Sequence, residues 1–157
     1  MIIRMTFFYR WSHEGLDMYG HRPQLWQART IEALPAGDPD PFYQLVDTCD
    51  FPSHSPELLD EVLEEAGRIE QGVIDSYEYV GDGFSQLITR NYVRFEHAIF
   101  NECPEWPIWY CTLAQYKAAL LGYRQFLDLP ESLDSELIVE LPEGDPKLDV
   151  KPEIDLS

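Results

Sequence analysis

Histidines, cysteines and paired acids are the side chains of this 157-residue chain that could do chemistry. The histidines are His13, His21, His54 and His97, and the cysteines are Cys49, Cys103 and Cys111. His13-Glu14-x-x-Asp17-x-x-x-His21 offers nitrogen and oxygen ligands of the kind zinc accepts. Its spacing is not that of HExxH, and it lies among Gly15, Gly20 and Pro23, so no helix would hold both imidazoles on one face. A metal site is therefore not expected. His97 with Cys103 or Cys111 would supply a thiol and an imidazole, but neither cysteine stands in the local pattern of a nucleophile. Gly81-Asp82-Gly83 lacks the third glycine and the following helix of a dinucleotide fingerprint and reads as a hairpin turn. GxSxG, GxxxxGKS/T and the calcium-loop pattern do not occur. Carboxylates are abundant, yet on an exposed helix face they lack the burial that lifts a carboxyl group into the range of an acid catalyst. The expectation is a chain that is not an enzyme and holds no cofactor.

Charge is the stronger signal. With 29 acidic and 11 basic side chains, the formal net charge is −18. Binding to nucleic-acid phosphates needs clustered Lys and Arg, so direct contact with DNA or RNA is excluded as a leading function. Anionic membrane surfaces are disfavoured for the same reason, whereas a basic protein would be steered in. The charge is unevenly placed. Residues 57–82 carry nine acids and one base, and residues 128–157 carry ten acids and two bases. Residues 83–127, by contrast, carry three acids and four bases. An odd cysteine count without a CxxC pair fits free thiols in a reducing cytoplasm. No secretory signal is read at the amino end, where Arg4 and Arg10 interrupt the apolar residues. The apolar runs fall far short of the roughly 18 residues that a membrane helix needs.

The elements that would position these groups follow from periodicity. Residues 2–11 alternate so that Ile3, Met5, Phe7 and Tyr9 share one face of a strand. Residues 24–34 fit a strand or a short helix, with the strand favoured because Trp26, Arg29, Thr30 and Ile31 are poor helix formers. Residues 42–48 fit either a short helical turn or a strand. Ser55-Pro56 opens a helix, with a capping hydroxyl before a residue that has no N–H to leave unpaired. On it Leu58, Leu59, Val62, Leu63 and Ala66 line one face, while Glu57, Asp60, Glu61, Glu64 and Glu65 line the other. Gly67 is one place for this helix to end, and the apolar spacing of Ile69 and Val73 extends it to about Asp75. Residues 77–80 and 84–89 form a hairpin, residues 91–96 a further strand, and residues 137–141 a last one. The clearest unit is 107–130. There Ile108, Trp109 and Tyr110 lead into Thr112, and Thr112-Leu-Ala-Gln115 has the spacing of a capping box. Leu113, Tyr116, Leu120, Tyr123 and Leu127 fall on one helical face before Pro130 stops the helix. The expected fold is α+β, a mainly antiparallel sheet with one or two helices packed on it. It comprises a single domain over 1–141 and an acidic, proline-containing tail over 142–157.

A small acidic domain of this kind is similar to the immunity proteins of bacterial polymorphic toxin and contact-dependent growth inhibition systems. The stretches that carry the likeness are the acidic helix Pro56–Ala66 and the Tyr/Leu-rich unit WPIWYCTLAQYKAALLGYRQFL at 106–127, about half of the chain. The likeness is one of class and brings no diagnostic motif. It implies tight, stoichiometric binding of one cognate toxin domain, often a nuclease, whose basic phosphate-binding surface an acidic inhibitor would occupy. On this reading the expected partner-binding residues are Glu57, Asp60, Glu61, Glu64, Glu65 and the aromatic Trp106. A second reading is a DNA mimic or adaptor that blocks a nucleic-acid-binding protein. The near-neutral stretch 83–127 weighs against it, because a mimic needs carboxylates over much of its surface. A third is an enzyme with an unrecognised site, which would need a concave pocket of convergent titrating groups.

Overall fold

The computed structural model describes residues 2–11, 25–34, 56–80, 84–97, 108–144 and 147–148. The alternation at the amino end produces strand β1 (Ile2–Trp11), with Ile3, Met5, Phe7 and Tyr9 all buried. β1 pairs antiparallel on one side with β2 (Leu25–Leu34). On its other side lies β7 (Glu136–Glu140), the last of the strands expected from the sequence. The order in this first sheet is β2-β1-β7. Its outer face is wet, as an antiparallel sheet allows. There Arg4 holds Glu32 at 3.1 Å and Glu140 at 2.9 Å, one cation tying three strands.

The hairpin expected in the middle of the chain begins a second sheet. β3 (Ser76–Val80) pairs with β4 (Phe84–Thr89), then β5 (Val93–His97), β6 (Trp109–Cys111) and β8 (Lys147–Leu148) follow, all antiparallel. The fold is thus α+β, with the antiparallel pairing divided between two sheets. The chain changes sheet at each end. β7 returns to β1 instead of extending the middle strands, and Lys147–Leu148, within the segment read as a tail, pair with β6.

Among the described residues, two helices fill the space between. α1 (Pro56–Glu70) buries Leu59, Val62, Ala66 and Ile69, an i, i+3, i+7, i+10 stripe, against β3 and β4. It passes through Gly67 and ends at Gly72, whose φ of +76° is cheap only for glycine. The Gly72 N–H donates to the Ile69 carbonyl and the Val73 N–H to the Arg68 carbonyl. These two bonds close a Schellman motif and satisfy carbonyls that a bare helix end would leave open.

α2 (Leu113–Leu127) is more deeply placed. Leu113, Tyr116, Leu120 and Tyr123 are buried as their spacing predicts, but so are Gln115, Ala119, Gly122 and Phe126. The buried arc is wider than one face because α2 packs on α1 and reaches both sheets. The Tyr116 hydroxyl donates to Gln86 of β4, and the Tyr123 hydroxyl donates to Gln27 of β2 at 2.6 Å. Phe126 stacks on Phe7 and Tyr9 of β1, while Phe95 of β5 stacks on Trp109 with centroids 4.0 Å apart. Gly122 lets α2 approach β7 closely, since a Cβ there would overlap Val139 Cγ2.

The capping box forms as its spacing predicts. Thr112 Oγ1 accepts from the Gln115 N–H at 3.0 Å, and Gln115 Oε1 accepts from the Thr112 N–H at 3.1 Å. The Gln115 amide nitrogen then donates to the carbonyls of Pro142 and Gly144, at 3.2 and 2.7 Å. One buried side chain therefore starts α2 and fixes the chain after β7.

Candidate partner-binding surface

Successive residues of an α-helix turn by about 100°, so Glu57, Glu61 and Glu64 fall within an arc of about 60° on the outer face of α1. All three are exposed. Asp60 and Glu65 lie on opposite flanks of that stripe, and the fold uses both. Asp60 accepts from Arg124 Nε of α2 at 2.9 Å, and Arg124 also holds Asp128 at 2.8 Å. Glu65 is half-buried and takes Arg68 at 3.1 Å, one turn along the helix. Further along, Glu70 meets Lys117 of α2 at 2.6 Å. Asp60 pairs with Arg124 and Glu70 with Lys117, so residue numbers run in opposite senses and the helices pack antiparallel.

The acidic helix carries a single base of its own, and the polar face of α2 supplies two further cations, Lys117 and Arg124. Both cations belong to the near-neutral stretch, two turns apart on α2. Their spacing along one face was the available signal, and only tertiary packing shows which acids they meet. Among the described residues, Glu61 and Glu64 have no such cation. On the sheet side, Tyr77 of β3 lies beside α1. Its hydroxyl is held above its ordinary pKa, first by burial and then by the charges of Glu61 and Glu65. Asp75, just before β3, and Glu78, on the face of β3 opposite Tyr77, are exposed acids of the same section.

Trp106, the aromatic member of the expected surface, lies outside the described residues, as do His13, Glu14, Asp17, His21, His54, Cys49, Cys103 and the turn Gly81–Gly83. The histidine and cysteine that are described are not brought together. Cys111 stands opposite Val93, and His97 is four residues further along β5, about 13 Å away at 3.3 Å per residue. The Cys111 thiol is fully buried and pushed far above its ordinary pKa by that burial, the opposite of what a nucleophilic cysteine requires. Among the described residues no three His, Cys, Asp or Glu side chains group as a metal ion needs, and no helix is long and apolar enough to cross a membrane. The charge count draws attention to the acidic carboxyl-terminal section as a second recognition surface, but not to the strand edge within it, the outer edge of β7. That edge carries Ile138, more than half exposed.

Comparisons with protein-family models, with curated proteins and with solved structures returned no match for this chain.

Proposed function

We propose that this chain is a non-enzymatic, cytoplasmic binding protein of the immunity type, which neutralises a cognate basic toxin domain by tight binding. A nuclease is the class of toxin its charge suits best, because a nuclease must keep a basic surface for phosphate. The reading rests on one observation above all. Glu57, Glu61 and Glu64 form an exposed acidic stripe in which Glu61 faces like charge at i,i+4 on both sides, Glu57 and Glu65. Such neighbours cost a few tenths of a kcal/mol each. A solvated face needs no such arrangement, whereas a surface that meets a basic partner gains speed of encounter and selectivity from it. Beside the stripe, Asp60 binds Arg124 of α2, Glu70 further along binds Lys117 of α2, and Glu65 pairs with Arg68 within the helix.

The test has two stages. The tagged chain is used to draw its partner from the source cell, with identification by mass spectrometry. The chain is then co-expressed with the captured domain. The proposal expects a basic domain that is toxic alone and harmless in the presence of this chain. A basic nucleic-acid-binding protein without toxicity would favour the mimic or adaptor reading instead. At the interface, Glu61→Lys with Glu64→Lys should slow association about tenfold and flatten its salt dependence. Unchanged rates would reduce the stripe to a solvated face.

A further inference from the structure

β7 closes one side of the first sheet, and its outward edge is open among the described residues. The direction of its backbone groups can be worked out. The Leu141 N–H donates to the Ile3 carbonyl at 2.8 Å, one step beyond the pair Arg4↔Glu140. In an antiparallel ladder, alternate residues turn both N–H and C=O to the same neighbour. Leu137 and Val139 therefore bond to β1, and Glu136, Ile138 and Glu140 turn their N–H and C=O groups to the open edge. The same three residues have their side chains on the outer face, where Glu136 and Glu140 are exposed and Ile138 is 56% exposed. Leu137 and Val139 point the other way and pack against the core.

Natural sheets blunt such edges with charged side chains, proline or a bulge. β7 has no proline and no bulge, and its five residues pair with β1 in unbroken register. What it has is acid. Glu136 and Glu140 bracket Ile138, Glu140 with one oxygen already on Arg4, and Glu131 and Asp134 are exposed just before the strand. A second copy of the chain is a poor occupant. Antiparallel pairing about Ile138 would set Glu136 of each copy against Glu140 of the other, and like charges directly opposite are destabilising. We propose that the free edge of β7 receives an extended segment of a basic partner as an added β-strand, with Lys or Arg opposite Glu136 and Glu140 and an apolar residue opposite Ile138. The backbone bonds supply affinity and the three outward side chains supply selection. This rests on the reading of the chain as a binder of a basic protein, and it names the element by which that partner is held.

The experiment is a titration of the isotope-labelled full chain with the acetylated, amidated peptide KTVTK, followed by amide NMR, with ETVTE as control. Saturable shifts are expected at residues 136–140 with slower hydrogen exchange at Ile138, and no shifts with ETVTE. Ile138→Pro removes an edge donor that the β1 ladder does not use, a place where a strand tolerates proline. It should weaken KTVTK binding about tenfold, the worth of one hydrogen bond. Glu136→Lys, which leaves the backbone alone, should weaken it as well. Absence of shifts, shifts centred on another element, equal binding of ETVTE, or indifference to both substitutions would each overturn the proposal. The two readings fail separately. Peptide binding of this pattern without any toxin partner would leave the edge standing and remove the immunity reading. A captured toxin domain whose affinity ignores Ile138→Pro and Glu136→Lys would do the reverse.

Discussion

The two helices are of equal length, 15 residues each, and are put to opposite uses. α2 is buried around most of its circumference, and its polar groups are consumed by the fold. Thr112 and Gln115 start it, Tyr116 and Tyr123 bind one sheet each, and Lys117 and Arg124 hold α1. α1 buries a single stripe, ties Asp60 and Glu70 to α2, and keeps Glu61 beside the like charges of Glu57 and Glu65 on its outer side. The difference shows where this chain is built for stability and where it gives stability up. Substitutions in α2 should unfold the protein, and substitutions on the outer face of α1 should change only what it binds.

The largest effect is expected at Tyr116, wholly buried and bonded to Gln86. Tyr116→Ala should cost about 3–5 kcal/mol in chemical denaturation, as truncation of a buried aromatic does. Next comes alkaline pH, through β6 just before α2. Burial raises the Cys111 pKa above the unfolded value of about 8.5, so the folded protein keeps a proton that the unfolded chain releases. Stability is then whole below about pH 8.5 and falls as pH rises beyond it, by about 1.4 kcal/mol per pH unit. Tyr9 and Tyr77, both raised chiefly by burial, add to the slope above about pH 10. Cys111→Ala should remove the first part of the slope and keep the second, as read from denaturation midpoints across the range.

Gly122→Ala should follow at about 1–3 kcal/mol, because the new methyl group meets Val139 and pushes α2 from β7. Thr112→Ala should cost about 1 kcal/mol by removing the acceptor for the Gln115 N–H. The smallest effect is also the most informative. Glu61→Gln relieves the repulsion from Glu57 and Glu65 and should stabilise the protein by a few tenths of a kcal/mol, visible as a higher thermal midpoint. A loss of 1 kcal/mol there would mean that the stripe serves the fold, and the contrast between the helices would collapse.

What could be read before the structure was known divides along physical lines. Local signals carried through. The alternation of Ile3, Met5, Phe7 and Tyr9, the capping box at Thr112 and the hairpin about 81–83 depend on neighbours a few residues away, and the structure forms β1, α2 and the β3–β4 pair accordingly. Long-range pairing was not legible. Nothing local in Glu136–Glu140 says that it joins β1 rather than β5 or β6, so the division into two sheets and the open edge of β7 were both hidden. The end of α1 was half legible. The spacing offers an end at Gly67 or an extension to about Asp75, and the carbonyls of Ile69 and Arg68, which accept from the Gly72 and Val73 N–H groups, set the end between the two. Of the expected surface, Glu57, Glu61 and Glu64 remain together, while Asp60 and Glu65 turn out to hold ion pairs, and Trp106 lies outside the described residues.

The most direct measurement is the association rate of the chain with the basic domain captured from its source cell, taken from low to roughly physiological ionic strength. The wild type is compared with Glu61→Lys/Glu64→Lys after both are shown to be folded. Fast association that slows steeply with salt is expected for the wild type, and a rate about tenfold lower with a shallow salt dependence for the variant. Equal rates with equal salt dependence would contradict this expectation.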